Sequence, residues 1–283
     1  MRSAGARLRA LQVCVAVALC AIGFSVPANA DDVPTPTPVP RAVPAARSYP
    51  RTFASYDALI DYADGVAATQ KASDDHLAAL VLRVDADTAT LATVLDPRVR
   101  GGLLRSRTDL MDDATFGALR KEVTNDVTSV GQLVASGAVV TAPISWRLPL
   151  LGEDTQDFGP TPYYFEPPLT YGGVYYDHFH TGTDIATAWG TPVLAPARGL
   201  VVFAGMMGDG AEVVVIAHDS GIVSMYAHLD NRVFAVPVKA GDTVQAGDRI
   251  GNVGLTGNTT GAHLHWSVWR NGELIDPLSM IGG

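Results

Sequence analysis

The hydrophobic pattern of the chain changes its period near residue 139, and no other feature limits the fold so strongly. Upstream, Leu77, Val81, Val84, Thr88, Leu91 and Leu95 recur at alternate threes and fours, the spacing of one helix face. A second stripe runs through Phe116, Leu119, Val123, Val130 and Val134. Asp96-Pro97 and Gly101-Gly102 separate the two stripes. The pattern predicts a helical hairpin, preceded by a shorter helix from Phe53 to Thr69. Downstream of Val139, Pro and Gly punctuate short β-rich runs at residues 199–204, 212–218, 222–228, 243–254 and 263–269. The run Glu212 to Ala217 is apolar on both faces and belongs in the middle of a sheet, while Gly241-Asp242 and Gly247-Asp248 supply turns. The expected class is α+β, a helical N-terminal region followed by a mainly antiparallel β-sheet C-terminal domain.

The chain divides further at its start. Arg2, Arg7 and Arg9 precede an apolar run from Leu11 to Phe24 and a small-x-small site at Ala28-Asn29-Ala30, so residues 1–30 read as a secretory signal peptide. The run is short for a membrane span and ends at a proline; left uncleaved, it would give only a weak membrane tether. Residues 31–52 form a proline-rich linker, semi-rigid and extended. Residues 53–139 are the helical region and residues 140–283 the β-rich domain. The expected location is outside the cytoplasm, in the cell wall or periplasm. Both cysteines, Cys14 and Cys20, fall inside the signal, which leaves no thiol for a disulfide or a thiolate metal site in the mature chain. Losing three arginines and no carboxylate takes the formal charge from -9 to about -12. Such a chain lacks the positive face that phosphate binding requires, so nucleic acid is excluded as a partner.

Six of the seven histidines lie between residues 178 and 265. In an exported chain without cysteine, His with Asp is the donor set that suits zinc. His180-Thr-Gly-Thr-Asp184 offers an imidazole and a carboxylate, with Gly182 allowing the backbone to turn between them. His263-Leu-His265 would project both imidazoles from one face of a strand, with Leu264 and Trp266 on the other. Tyr226-Ala-His228 ends another strand. His178, Asp177 and Gln156-Asp157 lie close enough to add ligands. His218 reads as a structural hydrogen-bonding residue, His76 as a solvated residue at a helix start, and Tyr226, Trp266 and Trp269 as packing residues. The chain has no phosphate-binding loop of the G-x-x-x-x-G-K-[ST] kind and no G-x-S-x-G nucleophile elbow.

Taken together, residues 156–278 resemble the lysostaphin-type zinc metallopeptidases, a family with a duplicated-hybrid-motif-like β fold. The resemblance rests on ordered motifs: His180-x-Gly-x-Asp184-Ile-Ala186, Gly190-Thr-Pro-Val-Leu-Ala-Pro-Ala197, Tyr226-Ala-His228-Leu229 and Gly241-Asp-x-Val244. It continues through Gly247-Asp-x-Ile-Gly251, Gly254-x-Thr256-Gly257, Gly261-x-His263-Leu-His265 and Asp276-Pro277. It implies one Zn2+ per chain held by His180, Asp184 and His265 with the fourth position open to water. It also implies that His228 and His263 handle protons and the oxyanion. The implied activity is an endopeptidase hydrolysing peptide bonds of bacterial peptidoglycan, in the stem peptide or the cross-bridge. Many relatives carry a carboxylate two residues after the last ligand, where this chain has Ser267. Two other readings stay open: a non-catalytic module of the same fold that binds wall or activates a hydrolase, and a structural zinc site closed by Asp177 or His178. The resemblance does not reach the helical region, which is expected to position or shield a peptidase whose chemistry residues 140–283 perform alone.

Overall fold

A computed structural model describes residues 49–95, 113–138 and 146–281. The signal peptide with Cys14 and Cys20, most of the proline-rich linker, the Asp96–Gly102 break and the boundary at residues 139 and 140 lie outside the described residues. So do the side chains of Leu91, Leu95 and Phe116.

Among the described residues two helices come first, α1 (Tyr56–Leu95) and α2 (Asp113–Ala135). Ser55 caps α1, its hydroxyl accepting from the amide of Ala58, and Asp57 adds a carboxylate to the first turn. The shorter helix expected from Phe53 to Thr69 is not separate. No glycine or proline interrupts the chain from Thr69 to Leu77, so the two predicted runs merge into one helix of 40 residues. His76 is exposed as expected, although it stands in mid-helix rather than at a start. Among the described residues no helix is long and apolar enough to cross a membrane.

The molecule forms two compact units, one holding Ser73–Val140 and the other joining Ala46–Ala72 to Thr141–Gly283. In the first unit, Leu77 and Leu80 of α1 pack with Val130 and Leu133 of α2. Val134, which the periodicity placed in this stripe, is 48% exposed, and its neighbour Leu133 packs instead. The Arg83 guanidinium holds both carboxylate oxygens of Asp126 across this hairpin.

Among the described residues the second unit contains fourteen strands. They are β1 (Glu153–Gln156), β2 (Gly159–Pro160), β3 (Leu169–Tyr171), β4 (Val174–Tyr176), β5 (Phe179–His180), β6 (Thr183–Ala186) and β7 (Pro192–Leu194). After these come β8 (Gly199–Met206), β9 (Glu212–His218), β10 (Ile222–Ala227), β11 (Thr243–Val244), β12 (Arg249–Asn252), β13 (His263–Arg270) and β14 (Glu273–Ile275). The main sheet is antiparallel in the order β1-β6-β13-β10-β9-β8-β11, with β14 paired to β13. The run expected at residues 243–254 is two strands, because the turn through Gly247 (φ +92°) and Asp248 divides it. Strand β9, apolar on both faces, is flanked by β8 and β10 and is buried from Val213 to His218.

Strand alternation sends side chains to two cores. Val214, Ile216, Tyr226, Leu264, Trp266 and Val268 face one, where Trp146, Leu229 and Ile250 complete the packing. Val213, Val215, Ala217, Val223, Met225 and Ala227 face the other, and that core is roofed by Leu59, Ile60, Ala63 and Ala67 of α1. A bulge in β8 between Val201 and Phe203 brings Val202 and Phe203 to the same side. The two alanines let the helix lie close against the sheet. At its start, the Tyr56 hydroxyl donates to Asp209 in the β8–β9 turn, and burial raises the Tyr56 pKa, with the Asp209 charge adding to the effect. The first part of α1 is therefore a layer of the same unit as the sheet.

A division at residue 140 leaves this helical roof outside the β-rich domain. Burying Leu59 and Ile60 contributes about 1.5–3 kcal/mol each, a large share of an ordinary domain's stability of about 5–15 kcal/mol. A 140–283 fragment is expected to lose cooperative folding or to melt well below a 46–283 chain, as followed by thermal circular dichroism. Ala63→Asp in the full chain should lower the midpoint in the same direction. Equal melting of the two lengths would show that α1 adds nothing to this core.

Candidate metal centre

His180 ends β5, Asp184 lies in β6 and His265 in β13, where it stands directly opposite Asp184 in the antiparallel register. Across this pair, His265 Nδ1 is 2.9 Å from Asp184 Oδ1. His180 Nε2 approaches the same two atoms, at 3.1 Å from His265 Nδ1 and 3.2 Å from Asp184 Oδ1. Donors about 2.0–2.2 Å from a tetrahedral zinc ion are separated by about 3.3 Å, so this triangle has the size of one face of such a site. Outer hydrogen bonds hold the far nitrogen of each ring. His180 Nδ1–H donates to the carbonyl of Asp157 at 3.0 Å, and His265 Nε2 is hydrogen-bonded to Ser267 Oγ at 2.8 Å, a hydroxyl able to accept from it. In the metal-free chain a proton on an inward nitrogen can bond the Asp184 carboxylate; once those nitrogens are deprotonated, two lone pairs and a carboxylate oxygen face one point. The residues fit a zinc ion.

Ser267, where the resemblance led to a carboxylate, brings a hydroxyl into contact with the ring instead. Gly182 is required for a different reason from the turn expected of it. It has no positive φ, but a Cβ there would lie 2.5 Å from the Trp266 carbonyl and 2.9 Å from the His265 ring. Only a residue without a side chain lets this loop close onto β13. Burial by itself would lower the His180 pKa, but the hydrogen bond and charge of Asp184 outweigh it and the net direction is up. Burial likewise opposes ionisation of Asp184, and the two imidazoles overcome it, holding the carboxyl well below the usual range.

A second histidine pair lies beside the triangle. The rings of His228 and His263 are 4.7 Å apart, and His263 Nε2 is 3.4 Å from Asp184 Oδ2. His263 Nδ1–H donates to the Gly261 carbonyl at 2.9 Å, and His228 Nδ1–H donates to the Thr256 carbonyl at 2.8 Å. Both Nε2 atoms are left as acceptors. His228 lies just past β10 with φ +61°, so strand alternation does not aim it. Burial first, and then the nearby His265, push its pKa down to about 4. It is neutral over the physiological range.

The remaining candidates fall elsewhere. His178 Nδ1–H donates to the Glu166 carbonyl at 2.8 Å, and Asp177 is exposed; neither joins the group of convergent donors. Asp157 contributes its backbone carbonyl and not its carboxylate. His218 is fully buried, bonded to the Arg198 carbonyl and to Ser224 Oγ. Tyr226 and Trp266 are core residues, and Trp269 packs at the edge of the core under α1. Thr256, quoted in a motif but given no role from sequence, touches His228 directly. A second acidic group, Asp87, Glu122 and Asp126, lies in the helical unit, where Arg83 neutralises Asp126.

The antiparallel sheet thus presents two imidazoles and a carboxylate to one point, a group able to hold a metal ion, with a further histidine pair alongside. Residues 178–277 match the model of Peptidase family M23, and the chain belongs to this lysostaphin-type family through them. DD-carboxypeptidase/endopeptidase Mpg of Neisseria meningitidis is 42% identical over 101 residues, which are 36% of this chain and 22% of that protein. Murein hydrolase activator NlpD of Salmonella typhimurium is 33% identical over 162 residues, 56% of this chain and 37% of that protein. The chain therefore spans well under half the length of these relatives. The catalytic domain of lysostaphin from Staphylococcus simulans is 30% identical, covering 45% of this chain and 90% of that one, with a TM-score of 0.37.

The buried His218 gives the unit a pH dependence. Burial lowers its pKa to about 4, against 6.5 in the unfolded chain, so between these values the unfolded state binds more protons. Its contribution is complete above pH 6.5 and is lost as pH falls towards 4, a change of about 3 kcal/mol. Urea titrations of metal-free protein should show stability falling through this window, with a flatter slope in His218→Phe. An unchanged slope in the variant would assign the acid sensitivity to other groups.

Proposed function

We propose that the chain is a secreted, zinc-dependent endopeptidase that hydrolyses peptide bonds of bacterial peptidoglycan. The observation that carries this reading is the single point on which His180 Nε2, Asp184 Oδ1 and His265 Nδ1 converge, beside two histidines that are not part of the triangle. His180, Asp184 and His265 would hold one zinc ion, and His228 and His263 would be the catalytic pair. When bound, zinc supplies Lewis acidity and lowers the pKa of a coordinated water to about 7. Three protein donors would leave one position to solvent or substrate, as in catalytic sites. His228 and His263, each tied through Nδ1 to a backbone carbonyl, offer Nε2 for taking up or returning a proton and, once protonated, for stabilising a tetrahedral oxyanion. Their backbone ties fix the rings before substrate arrives. No H-E-x-x-H glutamate is present to do this work. The signal-like pattern of residues 1–30 and the relative named as a murein hydrolase activator support an activity outside the cytoplasm.

The relative named as a murein hydrolase activator favours a second reading, a non-catalytic module, because its match extends over more of this chain than that of the endopeptidase. The retained donors and histidine pair argue for the enzyme.

Mature protein incubated with purified peptidoglycan is expected to release new amino groups, to lose this activity on chelation and to regain it with zinc. His265→Ala should lose zinc together with turnover. His228→Ala and His263→Ala should keep zinc at one per chain and lose about 10²–10⁴-fold in kcat. Hydrolysis by protein verified metal-free would overturn the zinc mechanism. Hydrolysis seen only when a separate hydrolase is added would establish the activator reading.

A further inference from the structure

Thr256 sits between three elements that meet beside the candidate metal centre. Its hydroxyl oxygen accepts from the Glu212 amide at the start of β9, 2.9 Å away, and its proton goes to the Leu229 carbonyl at 2.7 Å. Its own carbonyl accepts from His228 Nδ1–H at 2.8 Å. Two residues earlier, the Gly254 amide donates to the His228 carbonyl at 2.9 Å. The loop 254–256 thus grips His228 at both ends, at the ring and at the backbone. His228 needs such a grip, because its φ of +61° is a sparsely populated conformation for a residue with a side chain.

The loop itself is set by close packing. A Cβ on Gly254 would lie 2.3 Å from the Asp230 amide nitrogen, and one on Gly257 would lie 2.6 Å from Ala211 Cβ. These approaches fix the loop against the residue after Leu229 and against the β8–β9 turn. Thr256 supplies the directional part, a donor and an acceptor on one side chain. Serine reproduces both, and valine, of nearly the same shape, reproduces neither.

We propose that Thr256 is a positioning residue whose hydroxyl holds its own carbonyl against His228 Nδ1, fixing the ring's orientation and leaving Nε2 free for proton transfer. The proposal rests on the endopeptidase reading for its kinetic consequence, and on geometry alone for its structural one. Without the hydroxyl bridge, the Thr256 carbonyl is no longer tied to Glu212 and Leu229, and the ring can turn or exchange tautomers.

The test uses the zinc-loaded mature chain with Thr256→Val and Thr256→Ser. Long-range ¹⁵N–¹H spectra of the imidazoles report which nitrogen of His228 carries the proton. The parent and Thr256→Ser should show the Nδ1–H form, and Thr256→Val should show a mixture of tautomers while keeping one zinc per chain. On a soluble muropeptide, Thr256→Val should lose about 10–100-fold in kcat with KM little changed, and Thr256→Ser should recover most of it. An Nε2–H ring in the parent overturns the proposal without any variant, which keeps it testable if Thr256→Val does not fold. A parent-like His228 spectrum in Thr256→Val also overturns it. A parent that hydrolyses nothing would count against the endopeptidase reading, and the spectra would still decide whether Thr256 positions His228.

Discussion

The register between β6 and β13 is the constraint on which the rest depends. It sets His265 opposite Asp184, and the same alternation that aims His263, His265 and Ser267 to one face sends Leu264, Trp266 and Val268 into a fully buried core. A slip of one residue would exchange the two sets, putting imidazoles into the core and a tryptophan at the candidate metal site. The apolar side of β13 thus enforces the geometry of its polar side. His180 then needs only the short loop through Gly182, closed tightly enough that a methyl group would not fit.

The sheet also explains the helical region in part. Alternation places His263 and His265 on the sheet face that α1 covers farther along, where Met225 and Ala227, the partners of Ser267 and His265 in β10, belong to the core beneath the helix. The first part of α1 stabilises the face from which the histidines project. The part beyond Ser73 packs instead with α2 through Leu77, Leu80, Val130 and Leu133. One unbroken helix thus serves two cores.

Much of this was legible from residues whose chemistry and spacing agree. The change of period near residue 139 marked the helices and the sheet. The i, i+2 histidines of a strand had to share a face, and the apolar run at Glu212–Ala217 had to be central. What sequence could not show was contact between distant segments. Leu59 and Ala63 have helical spacing, but nothing local says that they pack on β9 and β10 and not on α2. Gly182 suggested a turn, whereas its cause is the approach of Trp266, 84 residues away along the chain. Ser267 departed from the common carboxylate, and only the 2.8 Å contact with His265 shows how the position is filled. His228 escaped strand logic because its backbone is left-handed, and the grip of Thr256 on it comes from 28 residues away.

The central claim is that His180, Asp184 and His265 bind one zinc ion through Nε2, Oδ1 and Nδ1 and leave the fourth position open. X-ray diffraction from zinc-loaded crystals, with anomalous data at the zinc edge, tests it most directly. The account predicts one anomalous peak about 2.0–2.2 Å from those three atoms, with solvent completing a tetrahedron. A peak at another set of residues, or a fourth protein ligand such as Asp177 or His178 closing the site, would contradict it.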